Sequence, residues 1–480
     1  MRLNFKIEPL IIFICFFLTA PILPQSVGDT INYFFESSAV TSSGGNAPFW
    51  FVSNNFGTIS LKSPSISVRT GLNGNIDLNR SLRLLYGIDI VDRHSNKNEI
   101  FIQQAYVSLK LGFITLKAGS WEEKLGNQDN SLSSGGIIWS GNAKPISQVG
   151  IFIPDYTPVP FSHGFVEFKG GIFHGWLGDN QYVNNEWLHH KYLYLRTHLT
   201  GHFQFEYGLQ HFAEWGGISS EYGKLPNDFN SFIKVFFSKG GDDSAPLGES
   251  INAIGNHIGS HCLAIYYSDQ KTSIKFYFQN IFEDRSGFEL NNFPDGLWGI
   301  TFSSENWKHV SKVLVEFINT TNQSGTFNHY YIDGVYHSSH GNDNYFNHEI
   351  YREGWTNKGK TIGSPLITSP GFVPSSTSEY LINTKLKAFH VGLEGREGII
   401  SYKALYTYSS NYGTNVNPFP KRKDQHSLLL KSTFTSLLPW DISMSVAVAA
   451  DLGELFENNA GIMLSFRKEG FVKWKSKNDN

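Results

Sequence analysis

Ser81-Leu-Arg-Leu-Leu-Tyr-Gly-Ile-Asp-Ile-Val91 decides the fold: its even positions are Leu82, Leu84, Tyr86, Ile88 and Ile90, and its odd positions include Arg83, Gly87 and Asp89. A period of two puts one set on each side of an extended chain, so one face is apolar and the other carries charge. The pattern recurs. Ile66, Val68, Thr70 and Leu72 alternate with Ser67, Arg69, Gly71 and Asn73, and Ile274, Phe276 and Phe278 alternate with Ser273, Lys275, Tyr277 and Gln279. Ile400, Tyr402, Ala404, Tyr406 and Tyr408 oppose Ser401, Lys403 and Thr407, and Ile442, Met444, Val446 and Val448 oppose Ser443, Ser445 and Ala447. Such one-sided strands, separated by turns, are what a transmembrane barrel requires, with lipid outside and a polar lumen.

The connections alternate in length. Asn79-Arg80, Gly112 and Leu438-Pro439-Trp440 read as tight turns, whereas Asp92 to Asn98, Ser409 to Gln425 and Thr320 to Tyr380 read as long polar loops. Short turns belong to the periplasm and long loops to the outside, and the chain has room for about 16 to 18 strands. The expected fold is therefore all-β, an antiparallel outer-membrane β-barrel with long extracellular loops. A soluble sandwich or propeller would show the same alternation, but with short loops on both sides or a repeat period, and no internal repeat is found.

Arg2 and Lys6 followed by Leu10 to Leu18 (LIIFICFFL) read as a secretory signal peptide over residues 1–26. Residues 27–60 are expected at the barrel mouth, 61–466 as the barrel and 467–480 as a basic periplasmic tail. Cys15 falls in the signal, which leaves Cys262 alone and excludes an intrachain disulfide framework. The chain holds 39 Phe, 22 Tyr, 11 Trp and 46 Gly against 3 Met, so strand and turn formers prevail. A formal net charge of -3 gives no reason to expect nucleic acid as a partner.

Near the C-terminus, Asn459-Ala-Gly461-Ile-Met-Leu464-Ser-Phe466 resembles the terminal-strand signal read by the barrel-assembly machinery, with Gly461, Leu464 and Phe466 at its key positions. It differs from the usual form in that Phe466 is not terminal. The assembly machinery and outer-membrane lipid are the partners this implies.

A wider set of motifs carries a second resemblance. Ala47-Pro-Phe-Trp-Phe, Asn54-Asn-Phe-Gly57, Leu188-His-His-Lys-Tyr192, Trp215-Gly-Gly217, Leu225-Pro-Asn-Asp-Phe229, Gly255-Asn-His-Ile-Gly259, Gln279-Asn-Ile-Phe-Glu-Asp284, Pro294-Asp-Gly-Leu-Trp-Gly299, Gly341-Asn-Asp-Asn-Tyr-Phe-Asn-His348, Gly354-Trp355 and Gly363-Ser-Pro-Leu366 follow in this order. Together they resemble the Wzi-type capsule assembly family in a Bacteroidetes-like form, from about Tyr33 to Phe466. The resemblance implies an eighteen-stranded outer-membrane barrel that binds capsular polysaccharide or exopolysaccharide, helps retain it at the cell surface without turnover, and meets polysaccharide export proteins. The better-known members carry an N-terminal helical bundle at the periplasmic mouth. Few residues precede the first clear strand here, which leaves a helical plug open.

The candidate carbohydrate-binding residues are Trp215, Asn256, His257, Asn342, Asp343, Asn344, Tyr345 and Trp355. Asn, Asp and His donate and accept in the several directions a hydroxyl-rich ligand needs, and Trp and Tyr offer a flat apolar face with a polar edge. The competing reading is that these side chains brace loops over the barrel mouth. The segment from His337 to Trp355 concentrates both types and is expected outside the cell.

Catalytic readings are weaker. His337, His340 and His348 with Asp343 match no zinc spacing, and Asp343 between Asn342 and Asn344 resembles part of a calcium loop but lacks its later glycine and glutamate. Glu122-Glu123 cannot flank a glycosidic bond from adjacent positions. No nucleophile elbow, phosphate loop or dinucleotide fingerprint is present, so no catalytic residue, metal or cofactor is expected. A diffusion porin and an outer-membrane hydrolase stand as the alternatives.

Overall fold

The computed structural model describes residues 30–178, 182–241, 246, 253–323, 328–332, 335–339, 343–373 and 379–473. Eighteen strands form one closed antiparallel sheet. In chain order they are β1 (Thr30–Ser42), β2 (Ser65–Asp77), β3 (Leu82–His94), β4 (Asn98–Leu111), β5 (Ile114–Ser120), β6 (Ser147–Pro158), β7 (Val166–Gly178), β8 (Glu186–His198) and β9 (Phe203–Trp215), then β10 (Asn256–Ser268), β11 (Thr272–Phe282), β12 (Gly296–Ser304), β13 (Val310–Asn319), β14 (Lys385–Glu397), β15 (Ile400–Gly413), β16 (Pro418–Leu438), β17 (Ile442–Gly453) and β18 (Asn459–Lys473). Each pairs with its sequence neighbours, and β1 closes on β18 from Thr30↔Lys473 to Ser42↔Gly461. Closure leaves no unpaired edge, which is what allows a sheet to stand in hydrocarbon.

The period-two faces are realised. Ile66, Leu72, Ile88 and Ile90 are exposed on the outer wall, while Asp89 is buried in the lumen. There Arg69 Nε donates to Asp89 Oδ1 at 3.0 Å, and Arg69 Nη2 donates to Glu122 Oε1 at 2.9 Å. Every tight turn expected from the sequence falls at the end that also holds Thr30 and Lys473, which is the periplasmic end. The long connections 121–146, 216–255 and 320–384 share the opposite end.

Several boundaries differ from the sequence reading. Thr30–Ser42 is a barrel strand, so the barrel starts at Thr30 and not at 61. The last strand runs to Lys473, so Arg467–Lys473 belong to the wall rather than to a tail. The supposed long loops at 92–98 and 409–425 are tight hairpins, with β3 reaching His94 and β16 starting at Pro418. Polar strand ends that project beyond the lipid alternate poorly and read as loop. The signal peptide over 1–26 lies outside the described residues.

Three of the extracellular connections turn inward. Residues 43–64, with the short helix α1 (Phe49–Val52), fold into the lumen together with 121–146 and 345–372. Phe49, Phe51, Leu132, Ile137, Tyr345, Phe346, Trp355 and Ile367 form one buried cluster with inward side chains such as Phe173, Tyr194 and Phe212. The upper lumen is thus packed like a protein interior, which excludes a water-filled passage through it.

Candidate functional site

At the extracellular rim, a cleft of about 900 Å³ lies between the segment 343–350 and the outward-facing His211, His257 and Phe282 of β9, β10 and β11. Three elements supply its walls: the starts of β10 and the end of β11, the helix α3 (Arg285–Phe288), and the segment 343–350. Gly255, at φ +93°, lets β10 begin directly beside the end of β9, since a Cβ there would lie 2.4 Å from the Glu214 carbonyl oxygen.

Asn256 Nδ2 donates to Glu214 Oε2 at 2.7 Å. His257 Nε2 faces the Ile254 carbonyl at 2.8 Å and must donate to it, so its Nδ1 accepts from His211 Nε2 at 2.9 Å. Asp284 caps α3, its Oδ1 accepting from the backbone N–H of Ser286 at 2.8 Å and of Gly287 at 3.1 Å. That cap sets Phe288 on the rim, 47% exposed, with its ring 4.9 Å from His261 and 5.3 Å from Phe282. An aromatic held by its base with one face open is suited to the apolar side of a sugar ring.

The segment 343–350 is pinned by its own side chains. Asn344 Nδ2 donates to Glu379, its Oδ1 accepts from the Thr384 hydroxyl at 3.2 Å, and Asn347 Nδ2 donates to the Leu381 carbonyl at 2.8 Å. His348 Nδ1 accepts from the backbone N–H groups of Ile350 at 3.2 Å and Tyr351 at 3.3 Å. Burial pulls its pKa down to about 4, so the ring is neutral and its remaining proton sits on Nε2 as a donor. Burial, and then the Asp343 carboxylate, push the Glu283 carboxyl well above the usual carboxylate range, while its Oε1 accepts from the Phe346 N–H at 2.7 Å. A protonated Glu283 is a donor as well as an acceptor. The cleft therefore mixes donors and acceptors without a dominant charge, as polyhydroxylated ligands require.

Four of the residues expected from sequence meet here: Asn256, His257, Asp343 and Asn344. Three do not. Trp355 and Tyr345 are fully buried, which corrects the expectation that they contact ligand. Trp355 Nε1 donates to the Ile138 carbonyl at 2.6 Å, and the Tyr345 hydroxyl receives the Asn292 amide at 2.6 Å and reaches Asp295 Oδ2 at 3.3 Å. Both brace the plug, because a large ring that can satisfy its polar edge inside the lumen gains more from burial than from exposure. Trp215 is 1% exposed on the outer side of the wall, its ring 4.9 Å from Trp187. Asn342 lies outside the described residues, as do the side chains of His337 and His340. Sequence reasoning passed over Glu283, Asp284, Phe288 and Asn347, although the Gln279–Asp284 and Gly341–His348 motifs held three of them. Among the described residues, no group of three or more His, Cys, Asp or Glu is arranged to hold a metal ion.

Residues 51–368 match the model of the family described as capsule assembly protein Wzi. No curated protein matches the chain. Among solved structures, it is similar to Wzi of Escherichia coli, an outer-membrane protein involved in group 1 capsule assembly and described as a carbohydrate-binding β-barrel. The identity is 14%, covering 97% of this chain and 89% of that one, with a TM-score of 0.57. Pseudomonas aeruginosa OccK5 (OpdH) is 7% identical over 93% of this chain and 98% of that one, TM-score 0.48. At such identities the E. coli likeness speaks for the fold. A closed eighteen-stranded barrel with an apolar outer wall is an outer-membrane protein of a Gram-negative bacterium.

Proposed function

Because the chain belongs to the Wzi capsule assembly family, we propose that it binds capsular polysaccharide or exopolysaccharide at the extracellular rim and holds it to the cell surface, as a lectin without turnover. The observation that carries this reading is the rim cleft of about 900 Å³, lined by amide, imidazole and carboxyl groups beside the open ring of Phe288. The upper lumen beside it is packed, so the protein suits retention better than passage. A repeated polymer also engages many barrels on one surface, and modest affinity per site suffices for firm attachment.

The test is capsule retention. A strain carrying Phe288→Ala with Asp343→Asn should make normal amounts of folded, heat-resistant barrel and export polymer normally, yet shed it into the medium. Wild-type retention by that strain would reject the cleft as the binding site. Release of reducing ends from the polymer by purified protein would reject binding without turnover.

A further inference from the structure

The outer wall carries a feature that polymer binding does not use. Helix α2 (Phe229–Phe236), in the connection between β9 and β10, lies against the outside of the barrel. Its Val235 packs with the outward Ala213, Trp215 and Ile254, in a cluster separate from the lumen core. Phe232 meets the His189 ring at 5.4 Å and Phe236 meets it at 5.2 Å. Next to this packed side Phe229, Ile233 and Phe237, one residue per turn, form an exposed apolar stripe. Asn230, Ser231 and Lys234 take the remaining side, so the helix is amphipathic and lies in the membrane interface on the outside of the barrel.

Beneath the end of α2 the wall is hollowed into a groove of about 550 Å³, lined by Ile151, Ile172, Leu193 and Leu209 with Gly170 between them. Lys191 stands at its head. The residue shares the outward face with Leu193 and Leu195, which are 50% and 41% exposed, and it lies in register between Ile172 of β7 and His211 of β9. Its ammonium donates to the Phe236 carbonyl and sits 3.9 Å from the Phe236 ring centre. Among the described residues it has no carboxylate partner. A cation without a counter-ion on a lipid-facing wall is unfavourable unless something supplies the opposite charge. The exposed Lys239 follows the helix.

We propose that this groove binds an acyl chain of the phosphorylated glycolipid of the outer leaflet, whose phosphate pairs with Lys191. The groove opens on the membrane, so hydrocarbon fills it, and Lys191 with Lys239 supplies a charge that a phosphate complements. Lys191 lies five residues into β8 from the extracellular start at Glu186, so its end of the groove is the one nearer the outer leaflet.

Native mass spectrometry of the full-length protein in mild detergent, with added bisphosphorylated lipid A, tests the assignment. Wild type should retain the lipid, Lys191→Arg should keep it, and Lys191→Met should weaken it roughly tenfold, the effect of one charge-assisted contact. Dephosphorylated lipid A should bind both weakly and alike. Leu209→Trp fills the groove without touching the cation and should lose the lipid too, which keeps the test valid if Lys191→Met misfolds. Equal retention by wild type and either variant, or phosphatidylglycerol held at least as well as lipid A, would overturn the proposal.

Discussion

Replacing Trp355 with alanine isolates what the plug contributes. The side chain is fully buried, its Nε1 donates to the Ile138 carbonyl at 2.6 Å, and its ring meets Phe212 of β9 at 5.4 Å, edge to face. It thereby ties the connections 121–146 and 343–372 to the barrel wall. Truncating a buried Trp to Ala costs about 3–5 kcal/mol, which includes the cavity left behind. Leaving the Ile138 carbonyl without its donor adds about 1 kcal/mol. None of this touches strand pairing, so the loss falls on local opening of the plug, which should become more frequent by roughly three to four orders of magnitude. Hydrogen exchange followed by mass spectrometry reads this directly: peptides from 121–146 and 343–372 should lose protection while those from β16 keep theirs. Trp355→Phe retains most of the volume and should lose only the hydrogen-bond share. Wild-type protection of the plug peptides in Trp355→Ala would refute the argument that this side chain holds the lumen closed.

Planar-bilayer recordings of the wild-type protein should show no large stable channels, and Trp355→Ala should show transient openings; a steadily conducting wild type would instead support a diffusion porin. Lys360, half-buried with its Nζ donating to the Val52 carbonyl at 3.3 Å, has a pKa pulled from its ordinary 10.5 down to about 7 by burial and by Arg93 and Lys144. Between those values the unfolded segment binds the proton that the folded one has shed, so plug stability should rise with pH from about 7 to about 10, and Lys360→Met should remove that slope in exchange-protection measurements. Phe466→Asp places charge on the wall in mid-strand, between Met444 and Ser37, at a direct cost of up to a few kcal/mol depending on depth; surface abundance, measured on intact cells, should fall.

The barrel was legible because lipid on one side and water or protein on the other impose a period of two that no soluble layer hides. Leu82 to Ile90 shows this plainly. Thr30–Ser42 was harder to read: Tyr33 and Phe35 face outward, yet Ser37 and Ser38 near its far end break the contrast, and its pairing partner lies at the opposite end of the chain. The site was half legible. Amide and imidazole groups in connections pointed to the lining of the candidate cleft, where Asn256, His257, Asp343 and Asn344 meet. Composition could not say whether an aromatic in a long connection turns outward to ligand or inward to fill the lumen, because that depends on the path of 320–384 and not on residue type. Helix α2 escaped notice for another reason: eight residues make about two turns, too few for a helical period to stand out beside the strands on either side.

The β1–β18 seam makes the order of synthesis matter. Its two halves emerge from the ribosome at opposite ends of translation, so for most of its early life the chain has two open margins in search of a mate. Any nascent chain cut short before residue 459 keeps both margins bare and is a template for the wrong neighbour. A chaperoned transit across the periplasm is then a requirement written into the topology itself, and the protein's yield becomes a race between ring closure and chance encounter.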